Sequence, residues 1–519
     1  MPERPSETTR LVLTSEGQRE ADRLAEAAGV PPDVLMESAG RSAAEILLER
    51  YQFKSPLVLA GRGGNGGDAL VVARVLAERG VDVSAIALCR REDLSSTTAA
   101  MARRLEEAAP GRLRFLAEGP GPLQALLPES DVVIDGLFGS GLDRPLAGRE
   151  ADAVRLVNAS GVETAALDLP SGLPSDGGDL LGDAIKADLT IAMEFLKPAH
   201  LFFPARSLCG EVDVARVAYP AEILDRLSPV GRVLTRAGAS SLLPERPPEG
   251  HKGTFGRVLV IAGSRGMSGA AILCAKGVLR AGAGLVTVAC PASIQPIVAT
   301  ALPETLTLGL AEKEGSVAAS AGEGLAGPLT AADVVVLGPG LGRTEAAAGL
   351  VRVVLEASQC PLVLDADALF ALASHLDWLP RAADRAVLTP HPGEMARLVG
   401  RPREEIETDR METARRFAKQ HEVVLLLKGR PTVVGTPQAE AYLNETGNTG
   451  LAKGGSGDVL AGVIAGLLAN GAGPVDAALL GAYVHGLTAD LLAREIAERA
   501  ILPSDVLDAL PLAFAEIER

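Results

Sequence analysis

Three observations predict two α/β domains in series. Hydrophobic residues make up 47% of the 519, yet only 10 Phe, 4 Tyr and 1 Trp occur against 57 Gly, so the cores must be built from Ala, Val and Leu around many tight turns. Short apolar runs recur, each ending in glycine or a small polar residue and each followed by a segment of helical length. The rhythm occurs in two series, separated around Asp225–Gly253 by a stretch with Pro and Gly at short intervals and no sustained period. The expected spans are residues 1–222, a linker and boundary region 223–253, and residues 254–519. Because the two series share no residue-level period, they read as two different domains rather than a duplication.

In the first series, Ser15-Glu-Gly-Gln18 reads as a capping box for a helix through Ala28, and Pro31-Pro32 opens a second helix carrying Met36–Gly40. The run PLVLAG, residues 56–61, reads as a buried strand that ends in the glycine loop GRGGNGGD and continues into the helical pattern ALVVARVLAERG. Strands follow at VDVSAIAL, DVVIDGLFG, ETAALDLPSG and ADLTIAME, which is the rhythm of a doubly wound parallel sheet in a Rossmann-like three-layer sandwich. The second series begins with GRVLVIAGS and proceeds through ADVVVLGPGLG, PLVLDADAL, RAVLTPHPGE and EVVLLLKG, again with helices between.

A net charge of −16 spread along the chain argues against nucleic acid or an anionic membrane as the main partner. Five cysteines without CxxC spacing suggest neither a zinc site nor a disulfide framework, which fits a reducing cytoplasm. The start MPERPSETTR lacks the apolar core of a secretory signal. The most apolar stretches, such as Val459–Ala469, stop short of the roughly 20 residues that span a bilayer. Small-molecule chemistry is therefore the expected business of the chain.

The segment Gly61-Arg-Gly-Gly-Asn-Gly-Gly-Asp68 lies between a strand and a helix, where free N–H groups and the helix dipole favour an anion. Tight strand-to-helix turns also use glycine for steric reasons alone. Asp135, Asp168 and Ser171 fall just past predicted strand ends, at the edge where open α/β sheets bind ligands, and their oxygens could enclose a hard cation. The ordinary reading of any one such Asp is a helix cap or a turn. Three together are harder to explain that way.

The strongest local signal is Asn448–Ala469, in which a glycine run leads straight into an apolar helix. Successive N–H groups of Gly454, Gly455, Ser456 and Gly457 at a helix N-terminus can converge on a phosphoryl oxygen, and Lys453 stands just before them. Asp458 is placed to take a proton from an alcohol attacking phosphorus. The bland alternative is a first-turn Asp favoured by the helix dipole. Lys428-Gly429-Arg430-Pro431-Thr432 follows a strand and offers a cationic nucleotide contact. His391, between two prolines after a strand, reads as either a satisfied structural histidine or a binding residue. Asp365 and Asp367 resemble a cation or helix-cap site.

MESAG, GGNGGD, DGLFGSGL, DLPSG and Phe195-Leu-Lys197, in that order, resemble the NAD(P)H-hydrate epimerase family over roughly residues 10 to 220. The resemblance implies a potassium ion held by Asn65, Asp135 and Ser171, with Asp168 as the acid/base residue and Lys197 beside it. It implies substrate contacts at Gly64, Asn65, Gly66, Gly67, Asp68, Gly139, Ser140, Gly141 and Asp168. One departure is visible, because Gly64 stands where that family usually has a first Asn. A carboxylate within reach of the C6 hydroxyl of the hydrate can move the protons that inversion requires.

From about residue 230 onward, KGTFGRVLVIAGS, SGAAILCAKGVLRAGAGLVT, GPGLG, LDADAL, LTPHPGE, LKG and GGSGD run in the order of the ADP/ATP-dependent NAD(P)H-hydrate dehydratases, which are ribokinase-like proteins. This resemblance implies hydrate contacts at Ala270, Gly340, His391 and Asp458. It implies nucleotide contacts from Lys428 to Thr432 and from Gly454 to Gly457, with Mg²⁺ accompanying ADP or ATP. The expectation is a cytoplasmic bifunctional isomerase and lyase that epimerises hydrated NADH and NADPH and dehydrates the S form. It would act on small molecules, self-associate as a homo-oligomer, and bind neither nucleic acid nor membrane. The competing expectation is a small-alcohol or vitamin-precursor kinase fused to a non-catalytic Rossmann-like ligand-binding module, since a shared fold does not settle function.

Overall fold

The computed structural model describes residues 8–116 and 120–519. The opening residues Met1–Glu7 lie outside that range. The chain divides into two compact units, Leu11–Val230 and a second made of Met1–Arg10 with Gly231–Arg519. Residues 223–253, set apart on sequence as a boundary region, contain the strand Gly231–Leu234 and the helix Arg236–Ser241. Thr8 O accepts from both the N–H and the hydroxyl of Thr235 at 3.0 and 2.9 Å.

Among the described residues, the Leu11–Val230 unit has a seven-stranded sheet. Its order is Leu113–Phe115, Ser84–Ala87, Leu57–Ala60, Val132–Gly136, Glu163–Leu167, Leu189–Met193 and Glu211–Ala215, and every pairing is parallel. Strands such as Leu57–Ala60 and Leu189–Met193 are buried along their whole length, as expected where helices cover both faces. The two edge strands escaped the sequence reading because neither carries a continuous apolar run.

The first helix, Ser15–Ala27, is capped by Thr14, whose hydroxyl accepts from Gly17 N, rather than by Ser15. Ser15 instead donates from N and Oγ to Asp176, at 2.6 and 3.0 Å. The helix expected after the glycine loop begins inside it, at Gly64, so Asn65 through Asp68 are helical.

Among the described residues, the other large sheet has eleven strands, with Arg257–Ile261 lying between Val334–Leu337 and Leu285–Pro291. Its pairings are parallel through to Val424–Leu427. They then turn antiparallel at Thr432–Gly435 and Ala441–Asn444. Two long apolar helices, Ser456–Ala469 and Pro474–Ala493, pack into its core. By length and composition the latter could cross a membrane, but 67% of its most apolar window is buried. Its apolarity is that of a core helix.

Candidate active sites

In the Leu11–Val230 unit, strand ends and helix starts meet at a cleft of about 600 Å³. Asp168 lies just past the strand Glu163–Leu167, with φ +60, a conformation Asp tolerates better than most residues. Its Oδ1 accepts from Lys197 Nζ at 2.6 Å and its Oδ2 from Ser140 N at 2.8 Å. Lys197 is fully buried and also donates to Phe195 O at 3.1 Å. Burial opposes the charge on Asp168, but the Lys197 ammonium outweighs it and holds the carboxyl below its ordinary range. His200, pushed down to about 4 by burial and by Lys197, is neutral. Its Nδ1 accepts from Lys197 N at 3.0 Å, so its Nε2–H donates to Asp168 O at 2.6 Å. His200 is a support the sequence reading missed, readable only as a residue three places after Lys197.

Asp68 lines the same cleft. Burial, followed by Asp168 and Asp22, pushes its carboxyl well above the ordinary range. A carboxyl held low by its ion pair and one pushed up by burial thus share the cleft, an arrangement suited to moving protons both ways.

Beside Asp168 is a cluster of oxygens. Asp135 is fully buried and accepts from Ser171 N at 2.8 Å, Ser171 Oγ at 2.7 Å and Leu137 N at 3.1 Å. Burial nevertheless raises it to about 6. Asn65 donates through Nδ2 to Phe138 O and Leu167 O at 2.9 and 3.0 Å, which fixes the amide, and its buried Oδ1 has no partner. An orphaned amide oxygen near a buried carboxylate that lacks a countercharge fits an oxygen-coordinated cation. Its donors are one carboxylate, one amide oxygen and the Ser171 hydroxyl.

The glycines divide by role. Gly64, Gly139 and Gly141 line the cleft together with Ser140, whereas Gly66 and Gly67 do not. A Cβ on Gly66 would sit 1.9 Å from Gly61 O, and one on Gly67 2.3 Å from Met36 Sδ, so close packing requires glycine at both positions. A Cβ on Gly64 meets nothing within 4 Å. We expect Gly64→Asn to fold with a melting temperature within about 2 °C of the parent, since exposed substitutions free of strain change little; a larger fall in thermal denaturation would contradict this.

The second unit carries a cleft of about 660 Å³ around Asp458. The helix Ser456–Ala469 follows Gly455, whose φ of +99 admits glycine readily, and no side chain caps it. Ser456 N reaches Lys453 O at 3.3 Å, while the remaining first-turn N–H groups point out of an uncapped helix start. Lys453 does not add its charge to that start: its Nζ donates to Arg499 O and Ile501 O, at 2.7 and 2.5 Å.

The local cation is Lys428 instead. A Cβ on Gly457 would lie 3.0 Å from Lys428 Nζ, which donates to Asp365 Oδ1 at 2.9 Å. Asp365 is buried and also accepts from Thr389 Oγ1 at 2.7 Å. Burial works against the Lys428 charge, but Asp365 and Glu394 outweigh it and raise the ammonium. Asp458 is pushed up to about 7, first by burial and then by Asp365, against the pull of Lys428.

Asp367 does different work, accepting from Gly342 N at 2.9 Å and Arg343 Nε at 3.0 Å, which pins the 338–342 loop. His391 lines the cleft, but its Nδ1 accepts from Gly393 N at 3.0 Å and caps the helix Pro392–Val399. Gly429, Arg430 and Thr432 line the cleft with Lys428, while Pro431 does not. The loop is shaped from behind by buried Arg410, which donates to Leu427 O, Lys428 O and Pro431 O at 3.2, 3.1 and 3.0 Å. No motif announced that arginine. Ala270 and Gly340 lie against each other, a Cβ on Gly340 falling 3.0 Å from Ala270 Cβ, but neither lines the cleft of Asp458.

Comparison with known proteins assigns both units. Residues 258–512 match the family described as NAD(P)H-hydrate dehydratase, and residues 32–199 match the YjeF-related protein N-terminus. A Moorella thermoacetica protein named bifunctional NAD(P)H-hydrate repair enzyme is 41% identical over 98% of this chain and 97% of its own length. One of the same name from Escherichia coli is 35% identical over 95% and 91%. A solved ribokinase-like superfamily protein from Enterococcus faecalis, 28% identical, covers 56% of this chain and 98% of its own with a TM-score of 0.50. The ADP/ATP-dependent NAD(P)H-hydrate dehydratase of Bacillus subtilis, co-crystallised with ATP and Mg²⁺, is 34% identical over 55% of this chain and 98% of its own, with a TM-score of 0.47.

Proposed function

The chain belongs to the family of bifunctional NAD(P)H-hydrate repair enzymes, and from that premise we propose how its residues divide the work. The Leu11–Val230 unit interconverts the R and S hydrates, and the other unit dehydrates the S form with ADP or ATP. The observation that carries the reading is Asp458 at the mouth of an uncapped helix with Lys428 Nζ over Gly457.

In the dehydratase unit, Asp458 takes the proton of the C6 hydroxyl as that oxygen attacks the terminal phosphorus and the phosphoanhydride bond breaks. The first-turn N–H groups and Lys428 receive the charge that develops on the phosphoryl oxygens. Loss of phosphate from C6 and of a proton from C5 then restores the dihydronicotinamide, because phosphate leaves far more readily than hydroxide. Mg²⁺ would accompany the nucleotide and neutralise phosphate charge. With no cluster of three candidate ligand side chains among the described residues, the phosphates would supply most of its ligands.

In the epimerase unit, Asp168 moves the proton of the C6 hydroxyl, held in place by Lys197 and Ser140 N. Asn65, Asp135 and Ser171 would hold potassium, which supplies positive charge beside the reacting group. Exchanging potassium for lithium should lower the epimerisation rate at least several-fold, because a smaller cation cannot be surrounded by oxygens fixed for a larger one. An unchanged rate would count against those three residues as its ligands. The five cysteines are all free, which supports a cytoplasmic location.

One assay tests both activities. Purified protein given mixed hydrate epimers, Mg²⁺, K⁺ and ADP or ATP should convert both epimers to reduced nicotinamide, read by its absorbance. Recovery of one epimer alone would sink the epimerase assignment. No recovery, with phosphorylation of a pyrimidine or thiazole alcohol instead, would replace the dehydratase by a kinase.

A further inference from the structure

His485 sits on the helix Pro474–Ala493, is 6% exposed, and lines the cleft that holds Asp458 and the uncapped helix start. Its Nε2 is buried and has no hydrogen-bond partner among the described residues. Burial, then the nearby Lys428 charge, pushes the imidazole down to about 4, and a backbone hydrogen bond at Ser456 engages the ring. The ring is neutral, so it has one donor and one acceptor. Because Nε2 has no partner, the Ser456 backbone bond falls on the other ring nitrogen, which leaves the buried Nε2 of this cleft-lining side chain as the acceptor. A buried acceptor left empty carries a desolvation penalty, which a ligand donor would recover.

A phosphate oxygen cannot fill that role, because it also accepts; the phosphate donors are Lys428 and the first-turn N–H groups. The donors of a nucleotide are its sugar hydroxyls and the exocyclic amine of its base. The lining on this side includes Ala482, three residues before His485 on the same helix face, with Gly486, Leu451 and Leu460, and with Asn444 and Thr446 against the Ala482–Gly486 turn. The apolar part of that lining suits the face of a planar ring.

We propose that His485 Nε2 accepts a hydrogen bond from the 6-amino group of the adenine of the phosphoryl donor and so sets the preference for adenine over 6-oxopurine nucleotides. This rests on the dehydratase reading above. A 6-oxo group would set acceptor against acceptor, and the Ser456 contact prevents the ring from offering Nε2–H instead.

The test measures dissociation constants of ADP, inosine diphosphate and 2′-deoxy-ADP, each with Mg²⁺, by calorimetry on the full chain and on His485→Leu and His485→Gln. In the parent, inosine diphosphate should bind roughly ten- to a hundredfold more weakly than ADP, and 2′-deoxy-ADP about as well as ADP. His485→Leu should weaken ADP and bring the two bases to near parity, while His485→Gln, which keeps an acceptor, retains part of the preference. Equal binding of ADP and inosine diphosphate by the parent, or undiminished discrimination in His485→Leu, overturns the proposal. A parent deficit confined to 2′-deoxy-ADP assigns the contact to the ribose and overturns it too. The parent comparison decides even if a variant fails to fold. Absence of any ADP binding would sink the dehydratase reading itself, whereas ADP binding without base discrimination sinks only the role of His485.

Discussion

Asp458→Asn should lower dehydration by about two to four orders of magnitude, the usual share of a positioned general base, and leave epimerisation at the parent rate. The substitution is nearly isosteric and keeps the N-terminus of the helix Ser456–Ala469, so the loss should appear in kcat rather than in nucleotide affinity. The parent's pH profile checks the same assignment. Burial and Asp365 push Asp458 to about 7, and a base works only when ionised. The dehydration rate should therefore rise with pH through about 7, and this limb should vanish in the Asn variant. Proportional loss of both activities would show that the two chemistries are not separate. A pH limb that survives in the variant would assign it to another group.

Loss of Lys197 is expected to have the largest effect on stability. Its ammonium is fully buried against Asp168 at 2.6 Å, and the Asp168 side chain is only 10% exposed. Removing one partner of such a pair leaves an uncompensated buried charge, at a cost of about 3–5 kcal/mol. Lys197→Met should destabilise the Leu11–Val230 unit by that order in urea unfolding at neutral pH.

The sign with pH is distinctive. In the parent, Asp168 lies below its ordinary range, so its contribution is present above the unfolded pKa and is lost as pH falls through the folded one. In the variant, the carboxyl is raised by burial, so the variant regains stability as pH is lowered and the group protonates. The double variant Lys197→Met with Asp168→Asn should recover much of the loss, since no charge is then stranded. Asp168→Asn alone should abolish epimerisation by about two to four orders of magnitude while dehydration of the S hydrate continues. Equal pH dependence of parent and Lys197→Met would refute the pair as described, and parent-rate epimerisation by Asp168→Asn would remove Asp168 as the proton carrier.

Gly66 and Gly67 show where motif reading and geometry part. Both belong to the GGNGGD motif, yet they are glycine because neighbouring backbone and Met36 occupy the space a side chain would need. Lys453 is a second case, since its neighbours in sequence suggest a phosphate contact while the carbonyls of Arg499 and Ile501 claim its ammonium. His391 combines both readings, with a cap on one ring nitrogen and the cleft beside it.

Local pattern alone marked the α/β alternation, most of the central strands, and Asn65, Asp135, Asp168, Ser171, Lys428 and Asp458 as candidates. Burial on both faces writes a strand as a continuous apolar run, and a strand-to-helix turn writes itself as local glycine and acid. Tertiary packing alone set the two edge strands of the first sheet, the antiparallel end of the second, the contacts of His200, Asp365 and Arg410, and the unpartnered nitrogen of His485. These depend on which distant segments meet. Arg410 reaches residues 17 to 21 places away, and Asp365 meets Lys428 across 63. Whether a buried polar atom finds a partner is settled by the packing of several elements at once, and no local pattern records it.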